Sequence, residues 1–178
     1  MYNITQETAA DWWEVEGLFD LSFAPGREAL SSYRLRDGVS PVADLCLVAR
    51  DGDGVLGGAV RFWPIEIGHN CDPALLLGPI AVHPTRQGEG LGGSLIHTSL
   101  LKAKALGWER VILIGDEPYY SRFGFRKAPF LQYPPPTNPD RLLYLEVVSG
   151  GFSNTTGIIK PVQSVVKSPK SRKNLKNS

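Results

Sequence analysis

Apolar and polar positions alternate through "YNITQET" near the start of the chain, which predicts a short β-strand. The spacing then changes. In "TAADWWEVEGLFDLSF", Trp12, Val15 and Phe19 recur at helical intervals and predict a helix with that face toward a core. Thr8 stands where an N-cap belongs, and Asp11 three residues on supports the first turn. "GREALSSYRLRDG" predicts a second, shorter helix ending near Gly38. Strand patterns follow. "ADLCLVAR" and "VLGGAVRFWPIEIG" flank "DGDG", a hairpin turn because Asp and Gly tolerate positive φ, and the return strand is expected to break or bulge at Pro64. "HNCDPA" reads as a loop, and "LLLGPIAV" as a strand bulged or kinked at Gly78-Pro79.

Beyond a glycine-rich stretch, Leu95, Ile96, Leu100, Ala103 and Leu106 form a helical stripe that Gly107 stops. "RVILIG" is a short continuous apolar run, the pattern of a buried parallel strand. "PYYSRFGF" opens with Pro118 at the start of a short helix and closes at Gly124. "APFLQYPPPTNPD" is a proline-rich loop, and "RLLYLEVVSGG" and "TGIIKPV" are closing strands. The expected order is β-α-α-β-β-β-α-β-α-β-β. Its one clear strand–helix–strand crossover is centred on the glycine-rich stretch, so the fold class is α/β with a mixed, mostly antiparallel sheet flanked by helices.

Composition narrows the function classes. At 178 residues the chain has the length of one domain, and 42% hydrophobic residues suffice for a core. The net charge is +1, yet the six basic and no acidic residues from Ser153 onward leave the remainder at −5. An acidic body makes no case for nucleic acid as a partner. Residues 164–178, polar, basic and without periodicity, are expected to be a disordered tail on a domain spanning 1–163. Two cysteines are too few for a disulfide framework, and His69, Cys71 and Asp72 lack zinc spacing, so no metal is expected. The start has no leader pattern and no run reaches membrane length, so a soluble cytoplasmic protein is expected.

The chemistry concentrates in "RQGEGLGG". Glycines that open a helix expose backbone N–H groups to an anion, and the helix start adds about half a positive charge. Arg86 is placed to add a full one. As G-x-G-x-x-G (Gly88, Gly90, Gly93) the stretch fits a dinucleotide turn; as Q-x-x-G-x-G (Gln87, Gly90, Gly92) it fits a coenzyme A pyrophosphate loop. "HPTRQ" separates Val82 from the first glycine, whereas a dinucleotide turn starts at the strand end. Asp116, at the end of the next strand, stands where a ribose-binding acid would.

Residues 75–125 resemble the core of the GNAT superfamily of N-acetyltransferases: "PIAVHP" precedes Q-x-x-G-x-G at the family's spacing, and a later tyrosine leads into "SRFGF". The likeness is strongest to a bacterial group ending in "GD-x-x-YY-x-RFGF". The resemblance implies the acyl-CoA N-acyltransferase fold, with a splayed pair of central strands and acetyl-CoA as donor to an amine of a small molecule or protein. It implies that the backbone of Ile80, Ala81 and Val82 pairs with pantetheine. It places the pyrophosphate on Gln87, Gly88, Glu89, Gly90, Leu91, Gly92 and Gly93, with Ser94 one step into the helix. Tyr120 falls where relatives protonate the leaving thiolate, and Glu66 where many hold a base, with Asp116 and Glu117 as alternatives. Trp12, Trp13, Tyr33 and Trp63 are candidate acceptor-pocket aromatics. A homodimer is one option for the assembly. A non-catalytic acyl-CoA sensor of the same fold is the alternative function.

Overall fold

The computed structural model describes residues 1–23, 31–135 and 137–163. Part of the second predicted helix and the whole predicted tail lie outside the described residues. The strands are β1 (Asn3–Gln6), β2 (Leu47–Arg50), β3 (Leu56–Ile67), β4 (Asp72–Val82), β5 (Arg110–Ile114), β6 (Arg126–Lys127), β7 (Leu131–Gln132), β8 (Leu142–Glu146) and β9 (Gly157–Pro161). The helices are α1 (Trp12–Phe23), α2 (Ser31–Arg34), α3 (Leu91–Ala105) and α4 (Glu117–Tyr120).

The main path of the sheet runs β1-β2-β3-β4-β5-β8-β6, with β9 on the far end of β3 and β7 beside β9. All pairs are antiparallel except β4/β5 and β7/β9. β6 and β7 fall in or beside the predicted proline-rich loop. Each is two residues long, too short to show a period.

The two faces carry different helices. Leu91, Leu95, Ile96 and Ala103 of α3 pack with Leu47, Phe62, Leu75 and Val111 on one face. Val15, Leu18 and Phe19 of α1 pack with Val48, Ala59 and Ala81 on the other. The α1 stripe is therefore rotated from the expected one: Leu18 is buried, while Trp12 is 46% exposed. Just past α3, Leu106 likewise turns outward. The Asp11 carboxylate accepts from the Thr8 N–H at 2.7 Å and its hydroxyl at 3.0 Å, starting the helical segment as predicted.

β3 runs unbroken through Pro64, which stands between the β2 ladder, ending at Leu56–Val60, and the β9 ladder, beginning at Ile65. The irregularity lies elsewhere: Val60 faces Ile80 and Phe62 faces Leu77, so β4 carries one extra residue at Gly78–Pro79. Opposite this bulge, Arg61 is 8% exposed and its guanidinium binds Glu7 at 2.7 Å and also Glu16.

The bulge coincides with the opening of the sheet. β4 and β5 are paired only at Leu75–Val111 and Leu76–Ile112. Past Leu76, β4 stays with β3 as far as Val82, and β5 stays with β8 as far as Ile114. The two strands diverge and leave a cleft at the centre of the sheet.

Candidate active site

The cleft leads into two adjoining cavities, each of about 660 Å³. The first is floored by Leu76–Ile80 of β4, Ile114–Asp116 and Tyr120, and walled by Tyr33, Arg36 and Arg141. The second lies over the start of α3, between Val82 and Phe123. Tyr119 lines both.

Hydrogen-bond alternation decides which β4 groups face the cleft. The His83 N–H donates to the Gly57 carbonyl at 2.8 Å, which makes Gly58–Val82 a non-hydrogen-bonded pair. Ala59 and Ala81 are then the pair that exchanges bonds. Ile80 and Val82 turn their N–H and C=O toward the open edge, while Ala81 directs its own at β3.

The second cavity is lined by backbone groups of the kind that suit an anion. Gly88 (φ 83°) and Gly90 (φ 77°) are in the left-handed region, which non-glycine residues adopt at a cost. Gly90 is the N-cap of α3, with no capping side chain and no acidic residue in the first turn, so the first N–H groups remain open. Gln87, Gly88, Gly90, Leu91, Gly92 and Gly93 line the cavity. Glu89 and Ser94 do not: the Glu89 carboxylate accepts from the Tyr2 hydroxyl at 2.6 Å, and the Ser94 hydroxyl donates to the Gly90 carbonyl at 3.2 Å. His83 shapes the approach, its Nδ1 accepting from the Thr85 N–H at 3.2 Å.

Arg86 lines the cavity, but its charge is engaged by Asp51 at 2.7 Å, where backbone N–H groups of Val55 and Asp53 and the guanidinium hold the carboxyl below the usual carboxylate range. Arg122 lines it too, its guanidinium 4.5 Å over the Tyr119 ring, and offers a second cation.

Tyr120 is packed by its neighbours. Its ring meets Tyr119 edge-on at 4.9 Å and Phe125 at 6.0 Å. A Cβ added to Gly115 would lie 2.5 Å from its Cε2, so the bare backbone at that position makes room for the ring. Burial, with smaller contributions from Tyr119 and Asp116, pushes its phenol up to about 12. The group therefore stays protonated throughout the neutral range.

Glu66 is not among the residues that line either cavity. It pairs with Pro73 and Lys160, so strands flank it on both sides. Pro73 shares a sheet face with Leu75 and Leu77, which pack toward α3. Asp116 does line the first cavity; its carboxylate is exposed and lies 3.4 Å from Arg141. Glu117 is 3.6 Å from Lys127. Of the four candidate aromatics only Tyr33 lines the cavity. Trp13 is 79% exposed, and Trp63 packs at the edge of the second core cluster. Thr137 and Asn138, from the proline-rich loop, rim the first cavity.

Sequence reasoning missed Arg36 and Arg141, which stand in segments without a motif. Neither cysteine lines a cavity: Cys46 is buried, and desolvation lifts its thiol to about 11, while Cys71 sits exposed in the turn before β4. Among the described residues no cluster of three His, Cys, Asp or Glu side chains could hold a metal ion, and no helix is long and apolar enough to cross a membrane.

An open, mostly antiparallel sheet, split where a bulged strand leaves its parallel neighbour and leading to a glycine-opened helix, is the architecture of the acyl-CoA N-acyltransferase fold. The chain belongs to the GNAT acetyltransferase family, whose domain model, described as Acetyltransferase (GNAT) domain, matches residues 43–127. It is 32% identical over 114 residues to the uncharacterized N-acetyltransferase YhbS of Escherichia coli, covering 64% of this chain and 67% of that one. Against YjhQ of E. coli, also an uncharacterized N-acetyltransferase, it is 33% identical over 127 residues, covering 70% and 68%. The crystal structure of YhbS in complex with CoA superposes with a TM-score of 0.80 over 90% of this chain and 89% of that one, at 27% identity. A GNAT family acetyltransferase from Brucella melitensis, in complex with acetyl-CoA, superposes with a TM-score of 0.64 over 82% and 88%, at 30% identity.

Proposed function

We propose that residues 1–163 form an acetyl-CoA-dependent N-acetyltransferase that moves the acetyl group directly to a primary amine. The observation that carries this reading is that Tyr119 lines both cavities, so the glycine-opened helix start and the split strand edge lie side by side. The complexes of YhbS with CoA and of the Brucella protein with acetyl-CoA support it.

The pyrophosphate sits on the open N–H groups from Gln87 to Gly93, with Arg122 as its cation. Glu89 contributes through its backbone, its carboxylate being held by Tyr2. Pantetheine runs along β4 and pairs with Ile80 and Val82, whose polar groups face the cleft. The acetyl carbonyl then lies near the bulge. The amine nitrogen attacks it, and the oxyanion is stabilised by a β4 N–H on the open edge.

As the C–S bond breaks, the Tyr120 hydroxyl gives its proton to the thiolate sulfur. Burial raises the phenol, and it raises the pKa of a thiol held in the same cleft for the same reason, which narrows the mismatch between donor and acceptor. Asp116, through water, takes the proton that the amine loses; it replaces Glu66 in that role because it faces the cavity.

Calorimetric titration with acetyl-CoA, and separately with NAD, tests the donor site. Heat with acetyl-CoA and none with NAD is expected; the reverse result would overturn the assignment. Free-thiol release across a panel of amines and peptides tests turnover, and binding without release from any of them would mark the sensor alternative.

A further inference from the structure

Tyr119 lines both cavities, and its ring is held on several sides. The Arg122 guanidinium lies 4.5 Å over it, and Tyr120 and Phe123 meet it edge-on at 4.9 Å and 5.6 Å. The Arg122 Nε also donates to the Tyr119 carbonyl at 3.3 Å, which ties the stacked guanidinium to the same turn. A tyrosine has only two side-chain torsions, so a ring fixed on these faces carries its hydroxyl to a fixed place.

That place is beside the first turn of α3. A Cβ added to Gly92 would stand 3.0 Å from the Tyr119 hydroxyl oxygen. Gly92 is not among the positive-φ glycines, so no turn demands a glycine there. Inside a helix, glycine costs about 1 kcal/mol relative to alanine. What the bare position gives in return is room for the hydroxyl against the helix start. Gly93, the next residue, differs: its Cβ would meet the Phe123 ring at 3.4 Å, an ordinary contact. Phenylalanine at 119 would pack against Tyr120 and Phe123 as well as tyrosine does, so packing does not account for the oxygen. Among the described residues the hydroxyl has no hydrogen-bond partner.

On the transferase reading above, on which this assignment rests, the thioester lies near the bulge of β4 and the pyrophosphate on the glycine-rich turn. The phosphate nearer the strand edge is then the one esterified to pantetheine, and Tyr119 stands at that boundary. We propose that the Tyr119 hydroxyl donates a hydrogen bond to the phosphate that carries pantetheine, so that the donor is recognised through its phosphopantetheine half. A phenol O–H to a phosphate oxygen is a charge-assisted bond, and the open N–H groups of α3 favour the same negative charge. Tyr119 is thereby a donor-binding residue, and its neighbour Tyr120 keeps the proton transfer.

The test compares Tyr119→Phe with the parent against CoA and against its parts: phosphopantetheine, pantetheine, and the adenosine bisphosphate that completes CoA. CoA binding is measured by calorimetry, and the parts by their displacement of CoA at millimolar concentration. Loss of one hydrogen bond to a charged oxygen should weaken CoA and phosphopantetheine alike, by about tenfold. Pantetheine and the adenosine bisphosphate should show no such difference. In the parent, phosphopantetheine should bind about tenfold or more tighter than pantetheine, an arm that needs no variant. Unchanged CoA affinity in Tyr119→Phe overturns the assignment. So does a loss shared by pantetheine, which would put the hydroxyl on an amide, or a loss carried by the adenosine bisphosphate, which would put it on the other phosphate. Failure of phosphopantetheine to displace CoA from the parent better than pantetheine does overturns it too. Each of these outcomes leaves the transferase reading standing as long as the parent binds CoA; a parent that binds neither CoA nor acetyl-CoA overturns that reading itself. Phenylalanine keeps the ring contacts, so the urea midpoint of the variant should match that of the parent.

Discussion

Gly115→Ala is the sharpest probe of how Tyr120 is held. The added Cβ would stand 2.5 Å from Cε2 and 3.0 Å from Cδ2 of Tyr120, and 3.0 Å from Cδ1 of Leu113. Unstrained carbon–carbon contacts lie at about 3.5–4.0 Å, so the ring must withdraw by roughly 1 Å. Backbone strain does not enter, because Gly115 is absent from the positive-φ positions. Overpacking of this kind costs about 1–3 kcal/mol of stability, and a 1 Å misplacement of a reacting group costs about a hundredfold in rate. The donor site is separate from this contact, so acetyl-CoA binding by calorimetry should be preserved while thiol release falls about a hundredfold. The double variant Gly115→Ala/Tyr120→Phe discriminates further. If the glycine acts only by seating the tyrosine, the two losses will not add, and the double variant will match Tyr120→Phe alone. A folded Gly115→Ala protein that turns over within about twofold of the parent would refute the claim that catalysis depends on the position of Tyr120.

Other sites give independent checks. Tyr120→Phe should lower turnover by about a hundredfold or more without changing acetyl-CoA affinity; unaltered turnover would remove the phenol from the mechanism. The same variant reports on pH. Tyr120 titrates near 10 when unfolded and about 12 when folded, so its contribution is complete below pH 10 and is lost as pH rises toward 12. Relative to Tyr120→Phe, the parent should lose roughly 2 kcal/mol in urea unfolding between pH 9 and about 11.5, and a constant difference would contradict the burial of the hydroxyl. Gly92→Val places its Cβ 3.0 Å from the Tyr119 hydroxyl, with its methyls toward the second cavity, and should abolish the rise in melting temperature with acetyl-CoA. It is a cleaner probe than Gly90→Val, where φ 77° strains any side chain whether or not phosphate binds. Arg61→Met should cost about 3–5 kcal/mol, because it takes the cation away from the largely buried Glu7 carboxylate. A urea midpoint unmoved by that change would show the triad to be incidental.

What could be read in the chain beforehand follows from the distance over which each signal acts. The turn from Gln87 to Gly93 and the Pro118–Gly124 segment are contiguous, and their constraints are backbone ones, so spacing exposed them as segments while the family resemblance chose between their readings. The bulge was visible as Gly78-Pro79, but Pro64 looked like an equal breaker; only the gap between the β2 and β9 ladders explains why β3 tolerates it. Glu66 illustrates a different failure. Its place on a strand near the cleft was legible, but the role of each face was not: β3 alternates without a break, so Glu66 shares the side of Val60 and Phe62, and that this side packs against α3 is a long-range fact. Ala81 shows the same sensitivity at a finer scale: one residue separates a backbone group aimed at β3 from one aimed at the cleft. Arg36 and Arg141 lie more than a hundred positions apart, yet line one cavity. No local pattern marks either. A guanidinium buried on two aromatic rings, as Arg36 is on Tyr33 and Trp63, announces itself only once burial is known, since an arginine in "SSYRLRDG" otherwise reads as one more charge on the solvent side of a helix end. The donor half of the proposed reaction is thus written in contiguous backbone, and the acceptor half in long-range side-chain convergence, which is why the sequence speaks to the acyl carrier and falls silent on the amine.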